Sequence, residues 1–84
     1  MISQAMLDDW FVYHAPRAGQ PERYVAIREA AKKLAEAIVA NSCASADQTA
    51  AIRKVREAVF IANAGIACER EDESARFTPE TSAK

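Results

Sequence analysis

Tyr13, Arg28 and Lys32 have side chains that could together hold a flat anion. Tyr13 stands just ahead of a helical stretch, and Arg28 and Lys32 lie on successive turns inside it. A tyrosine ring stacks on a nucleobase for about 1–3 kcal/mol, and a guanidinium takes two phosphate oxygens at once. Asn63 joins this set because it is the one strongly polar side chain in the apolar run 58–68. A buried, unpaired amide costs about 1–3 kcal/mol, so Asn63 needs a partner: a neighbouring chain, or the edge of a bound base or ribose. His14, the single histidine, is either an arm contact able to respond to pH or a hydrogen-bonded loop residue.

Catalytic chemistry has little to work with. No serine or cysteine is placed to use His14, and there is neither a glycine-rich phosphate loop nor a pair of carboxylates in a plausible pocket. Cys43 and Cys68 have neither CxxC spacing nor a companion histidine pair, so they read as reduced thiols rather than a disulfide or a zinc motif. The expectation is a protein that is not an enzyme and carries no cofactor and no metal.

The elements that must position these residues follow from periodicity. Residues 1–12 place Ile2, Met6 and Phe11 at helical intervals, which predicts a short N-terminal helix. The arm that follows is non-helical, since Pro16 disfavours helical geometry at Ala15 and Gly19 adds a joint. Pro21 and Glu22 then suit the first turn of a new helix. Its apolar stripe runs Tyr24, Ile27, Ala31, Leu34, Ile38, with Arg23, Arg28, Lys32 and Lys33 on the other face and Glu29 able to bridge to Lys33. The segment after Asn41 loses the period, and Ser45 with Gln48 fits a capping box for a further helix. That helix repeats the alternation at Ile52, Val55, Val59, Ala62 and Ile66. The expected fold is all-α: an antiparallel helical hairpin with a short N-terminal helix, organised as 1–12, then arm plus hairpin over 13–69, then a polar and disordered tail over 70–84.

Two features predict a homo-oligomer. A single domain of 84 residues buries only about 60–65% of its unfolded surface, which leaves a monomer marginal. The run 58–68 is apolar or small on every side except Asn63, and one partner helix cannot cover it.

Charge narrows the partners. The net charge is −1, against a DNA- or RNA-coating protein, whose surface would be strongly basic. The balance is uneven, however: residues 13–57 hold eight basic and five acidic side chains. Asp8 and Asp9 stand where a secretory signal would be apolar, and the longest uncharged run of the helical part is about half of the roughly 20 residues needed for a membrane span. The expectation is no membrane and a cytoplasmic location.

With these residues in view, a resemblance emerges. Tyr13-His14, Pro16, Gln20, Glu22-Arg23-Tyr24, Ala26-Ile27-Arg28, Ala30-Ala31-Lys32, Leu34-Ala35 and Ile38 are followed by Ala51, Lys54, Glu57-Ala58-Val59, Ala62-Asn63-Ala64 and Ile66-Ala67. Over about 13–69 this pattern resembles the small phage nucleotide sponges of the anti-CBASS and Thoeris anti-defence family, which share a helical hairpin. The resemblance implies a non-catalytic protein in the host cytoplasm. It would sequester cyclic dinucleotides, cyclic trinucleotides or cyclic ADP-ribose isomers and so block bacterial anti-phage immunity. It also implies a hexamer with pockets between subunits, Tyr13 as the stacking aromatic, and Arg28 as a phosphate ligand. Asn63 lies in the Ala-Asn-Ala motif, which the resemblance associates with the pocket of the cyclic ADP-ribose sponges; His14 and Lys32, from the reading of the residues themselves, complete the candidate ligand-binding set. The sequence departs from many relatives at Ala15, Cys43-Ala44 and Ile61, which leaves the preferred ligand open. The competing reading is a helical oligomeric interaction module that inhibits a host protein without any small molecule.

Overall fold

The computed structural model describes residues 1–70, 72 and 73. The expected disordered tail, 70–84, falls almost entirely outside the described residues. Three helices are present, α1 (Gln4–Trp10), α2 (Gln20–Asn41) and α3 (Ala46–Ala67), and no strand occurs among the described residues. The all-α expectation therefore holds. No helix among the described residues is long and apolar enough to cross a membrane.

Each helix begins and ends where its local chemistry dictates. The Ser3 hydroxyl accepts from the Met6 amide at 3.1 Å and starts α1, later than the 1–12 segment suggested. Gly19 precedes α2 at φ +85°, a left-handed conformation that costs an L-residue about 1–2 kcal/mol, and Pro21 and Glu22 occupy the first turn. At the far end, Asn41 Nδ2 donates to the Ala37 carbonyl at 2.8 Å, and Ser42 Oγ donates at 2.5 Å to the Ile38 carbonyl, one of the last four that a helix leaves without an intrahelical donor. The Ser45 hydroxyl then caps α3 by accepting from the Gln48 amide at 3.1 Å. The capping box is only half formed, because Gln48 Nε2 turns to the Ser42 carbonyl and hydroxyl, 3.2 and 3.1 Å away, and so braces the turn.

α2 and α3 are both 22 residues long, about 33 Å at 1.5 Å per residue, and they pack antiparallel, so the start of α2 meets the end of α3. The α3 stripe is as expected: Ile52, Val55, Val59 and Ala62 are half-buried, and Ile66 is buried at 7% exposure. In α2 the stripe drifts. Tyr24, Ile27, Ala31 and Ile38 are half-buried, but Leu34 is exposed and Ala35 takes its place against α3. A straight 3.6-residue helix carries a strict three-four alternation gradually off the contact line, and small Ala35 lets the helices approach.

The hairpin core is thin. Ile66 and Gln20 are the only buried residues among those described. Val25, Leu34, Val39, Phe60 and Ile61 remain exposed, Phe60 at 60% and Ile61 at 71%.

Candidate functional site

Two sites of different character lie along the hairpin. The first is the closed end, where the arm, the start of α2 and the end of α3 meet. Gln20 is 1% exposed. Its Oε1 accepts from the Arg17 amide at 2.9 Å, and its Nε2 donates to the Ile66 carbonyl at 2.9 Å. One side chain thus serves both the arm and the terminal turn of α3. Arg17 donates to the Glu69 carbonyl, and Arg23 meets the Glu69 carboxylate with two parallel bonds of 2.8 and 2.6 Å. The Arg23 and Glu69 side chains are mostly covered, at 16% and 21% exposure. Their bidentate bond holds the Arg23 guanidinium firmly protonated. Arg23 was expected on the solvated polar face; it is instead a structural clamp, because the chain beyond α3 turns back over the start of α2. Glu29 and Lys33, by contrast, form no ion pair among the described residues.

The second site is the open groove between the two helices. Its half-buried apolar floor is Ala31 and Ala35 from α2 with Ile52, Val55 and Val59 from α3, and exposed Arg28, Lys32, Arg56 and Phe60 stand around it. The Arg56 guanidinium lies over the Phe60 ring, 5.8 Å from its centroid, within cation–π range. Arg28 and Lys32 have no hydrogen-bond or ion-pair partner among the described residues. The groove encloses about 260 Å³, less than the roughly 300–1,000 Å³ of a complete small-molecule pocket. Chemically it offers an apolar floor for a flat ring and three cations for phosphate oxygens.

Of the residues singled out from the sequence, Arg28 and Lys32 come together in this groove, while Tyr13, His14 and Asn63 do not line it. Tyr13 projects from the arm at 83% exposure. His14 turns inward, with Nε2 2.6 Å from the Asp9 carbonyl oxygen, 3.5 Å from Asp9 Oδ1 and 3.8 Å from Cys68 Sγ. Asn63 is half-buried, and its Oδ1 is sealed from solvent without a hydrogen-bond partner among the described residues. The polar side chain that stood out in the apolar run is therefore an acceptor left open by the described residues.

Four participants escaped sequence reasoning. Arg56 and Phe60 are four residues apart, the spacing at which helical side chains meet, and an aromatic with a cation one turn earlier was a readable signal. Gln20 and Glu69 carried none: a polar residue before Pro21 and an acid after α3 become a clamp only when the helix ends meet.

Comparison with known proteins supplies a family. No curated protein and no solved structure matches the chain. The family model described as the Acb2/Tad1 hairpin domain matches residues 6–67, from within α1 to the last residue of α3. With most of its length matched, the chain belongs to the Acb2/Tad1 hairpin-domain family of phage anti-CBASS and anti-Thoeris sponge proteins.

Proposed function

We propose that this protein is a non-catalytic sponge for a cyclic nucleotide immune signal, one of the cyclic di- or trinucleotides or cyclic ADP-ribose isomers. The observation that carries this reading is the groove, where Arg28 and Lys32 have no carboxylate partner among the described residues and stand beside an apolar floor and an Arg56–Phe60 stack. Cations without a carboxylate partner among the described residues, on a helix whose Arg23 is paired with Glu69, favour an anionic ligand. Family membership supplies the ligand class.

The site acts between chains of a homo-oligomer, a hexamer by analogy with the family. Three observations support this. The groove of one chain is too small and too open to enclose a nucleotide. Phe60 and Ile61 expose large apolar surface beside it, the kind of surface that marks an interface. Tyr13 is held away from its own groove and is available to stack on a base bound by a neighbour. Arg28, Lys32 and Arg56 neutralise phosphate, Tyr13 stacks, and Asn63 completes its hydrogen bonding through assembly or ligand. His14 supports the arm that carries Tyr13. The work is done in the host cytoplasm, without cofactor, nucleic acid or membrane.

Incubation with each class of cyclic nucleotide, followed by heat denaturation and mass spectrometry of the released material, tests sequestration directly. The expected result is recovery of intact cyclic nucleotide. A linear or hydrolysed product would make the protein an enzyme, and recovery of nothing from any class would remove the sponge reading.

A further inference from the structure

The cluster at the junction of α1, the arm and the end of α3 lies outside the nucleotide groove, and only its His14 has a role so far, as support for the arm. It unites three chemically distinct donors: a carboxylate from Asp9, an imidazole nitrogen from His14 and a thiol from Cys68, with their ligand atoms all within 4.8 Å of one another. Cys68 and His14 are half-buried, and Asp9 is exposed at the mouth. We propose that Asp9, His14 and Cys68 form a Zn²⁺ site that clasps α1 and the arm to the end of α3.

The spacing supports the metal and its geometry. Zinc binds sulfur at about 2.3 Å, imidazole nitrogen at about 2.0–2.1 Å and carboxylate oxygen at about 2.0–2.2 Å, in tetrahedral sites. At tetrahedral angles those bond lengths separate sulfur from nitrogen by about 3.5 Å and nitrogen from oxygen by about 3.3 Å. The corresponding distances here are 3.8 Å for Cys68 Sγ to His14 Nε2 and 3.5 Å for His14 Nε2 to Asp9 Oδ1. A contraction of a few tenths of an ångström brings these two edges to bonding geometry, and water takes the fourth position. The mixed sulfur, nitrogen and oxygen set suits zinc rather than magnesium or calcium, which prefer oxygen alone.

Proton accounting is simple. Cys68 releases its thiol proton to solvent on binding. His14 Nε2, now against the Asp9 carbonyl, gives up any proton it holds and presents its lone pair, with the remaining proton on Nδ1. In the metal-free chain burial, and secondarily the charge of Asp9, push the Cys68 thiol pKa up. A bound dication reverses that balance and favours the thiolate. The consequence is positional: residues 9, 14 and 68 become one rigid node, and Tyr13, next to His14, acquires a fixed base.

Cobalt serves as the probe because its tetrahedral thiolate complexes are coloured. The full chain, kept reduced by a phosphine, is titrated with Co²⁺. The expected result is one equivalent bound, with a near-ultraviolet thiolate-to-cobalt charge-transfer band and visible bands of a tetrahedral ion, all bleached by Zn²⁺. Cys68→Ala removes the charge-transfer band, Cys43→Ala keeps it, and Asp9→Asn and His14→Ala weaken cobalt binding roughly tenfold or more. Far-ultraviolet circular dichroism establishes that each variant remains helical, and Asp9→Asn supplies the test if Cys68→Ala does not fold. Absence of the band in the folded wild-type chain overturns the proposal, as does a band that follows Cys43 instead of Cys68, or cobalt affinity in Asp9→Asn equal to that of the wild type.

Discussion

The two regions of this hairpin treat their arginines in opposite ways. At the closed end Arg17 and Arg23 are spent on Glu69, and Gln20 seals the junction beneath them. In the groove Arg28 and Lys32 are exposed and have no carboxylate partner among the described residues. Both sets sit on or beside the same helix, so the difference comes from what the partner elements supply. The end of α3 brings Glu69 and free carbonyls, whereas the middle of α3 brings aliphatic side chains and a further cation, Arg56. A paired cation holds a fold together; an unpaired one beside an apolar floor is available to a ligand.

That contrast can be broken experimentally. The largest effect belongs to the groove: Arg28→Glu should weaken cyclic nucleotide binding about 100-fold or more, equivalent to roughly 3 kcal/mol at 1.4 kcal/mol per decade. The melting temperature and the oligomer mass by light scattering should stay as in the wild type. A collapse of the oligomer would mean that Arg28 belongs to assembly. At the closed end the outcome reverses. Gln20→Ala should destabilise the chain by about 2–3 kcal/mol, because it strips a bond from the Ile66 carbonyl and leaves the Arg17 amide without its acceptor. Urea denaturation measures this, and a loss under about 0.5 kcal/mol, the range of ordinary surface substitutions, would show that the clamp is redundant.

Smaller effects sharpen the boundary between the regions. Gly19→Ala should cost about 1 kcal/mol through the left-handed backbone alone, since a Cβ there meets nothing within 4 Å. An unchanged melting temperature would mean that the arm can enter α2 by another path. The least disruptive comparison is alkylation in the presence of a chelator at mildly alkaline pH. Exposed Cys43 should react several-fold faster than Cys68, whose half-buried thiol is held neutral by desolvation and by Asp9. Equal rates would place Cys68 in open solvent and remove the junction described around it.

Much of this architecture was legible in the sequence. Periodicity located both long helices and all five α3 stripe positions, and Asn63 stood out as polar in an apolar run. Leu34 was misplaced because periodicity fixes a face only to within the slow rotation of a straight helix against its partner. Arg28 and Lys32 were readable as a cationic face, whereas Arg23, five residues earlier, was claimed by Glu69. That distinction depends on where the chain goes after α3, which local pattern does not encode. The Asp9–His14–Cys68 junction was hidden for the same reason, its members being separated by up to 59 residues.

The central claim is that the groove and arm capture a cyclic nucleotide. Isothermal calorimetry of the wild-type chain against cyclic dinucleotides, cyclic trinucleotides and cyclic ADP-ribose isomers tests it most directly. The account predicts saturable binding to at least one class, greatly weakened in Arg28→Glu and Tyr13→Ala. Absence of heat across the whole panel from a folded wild-type chain would contradict it.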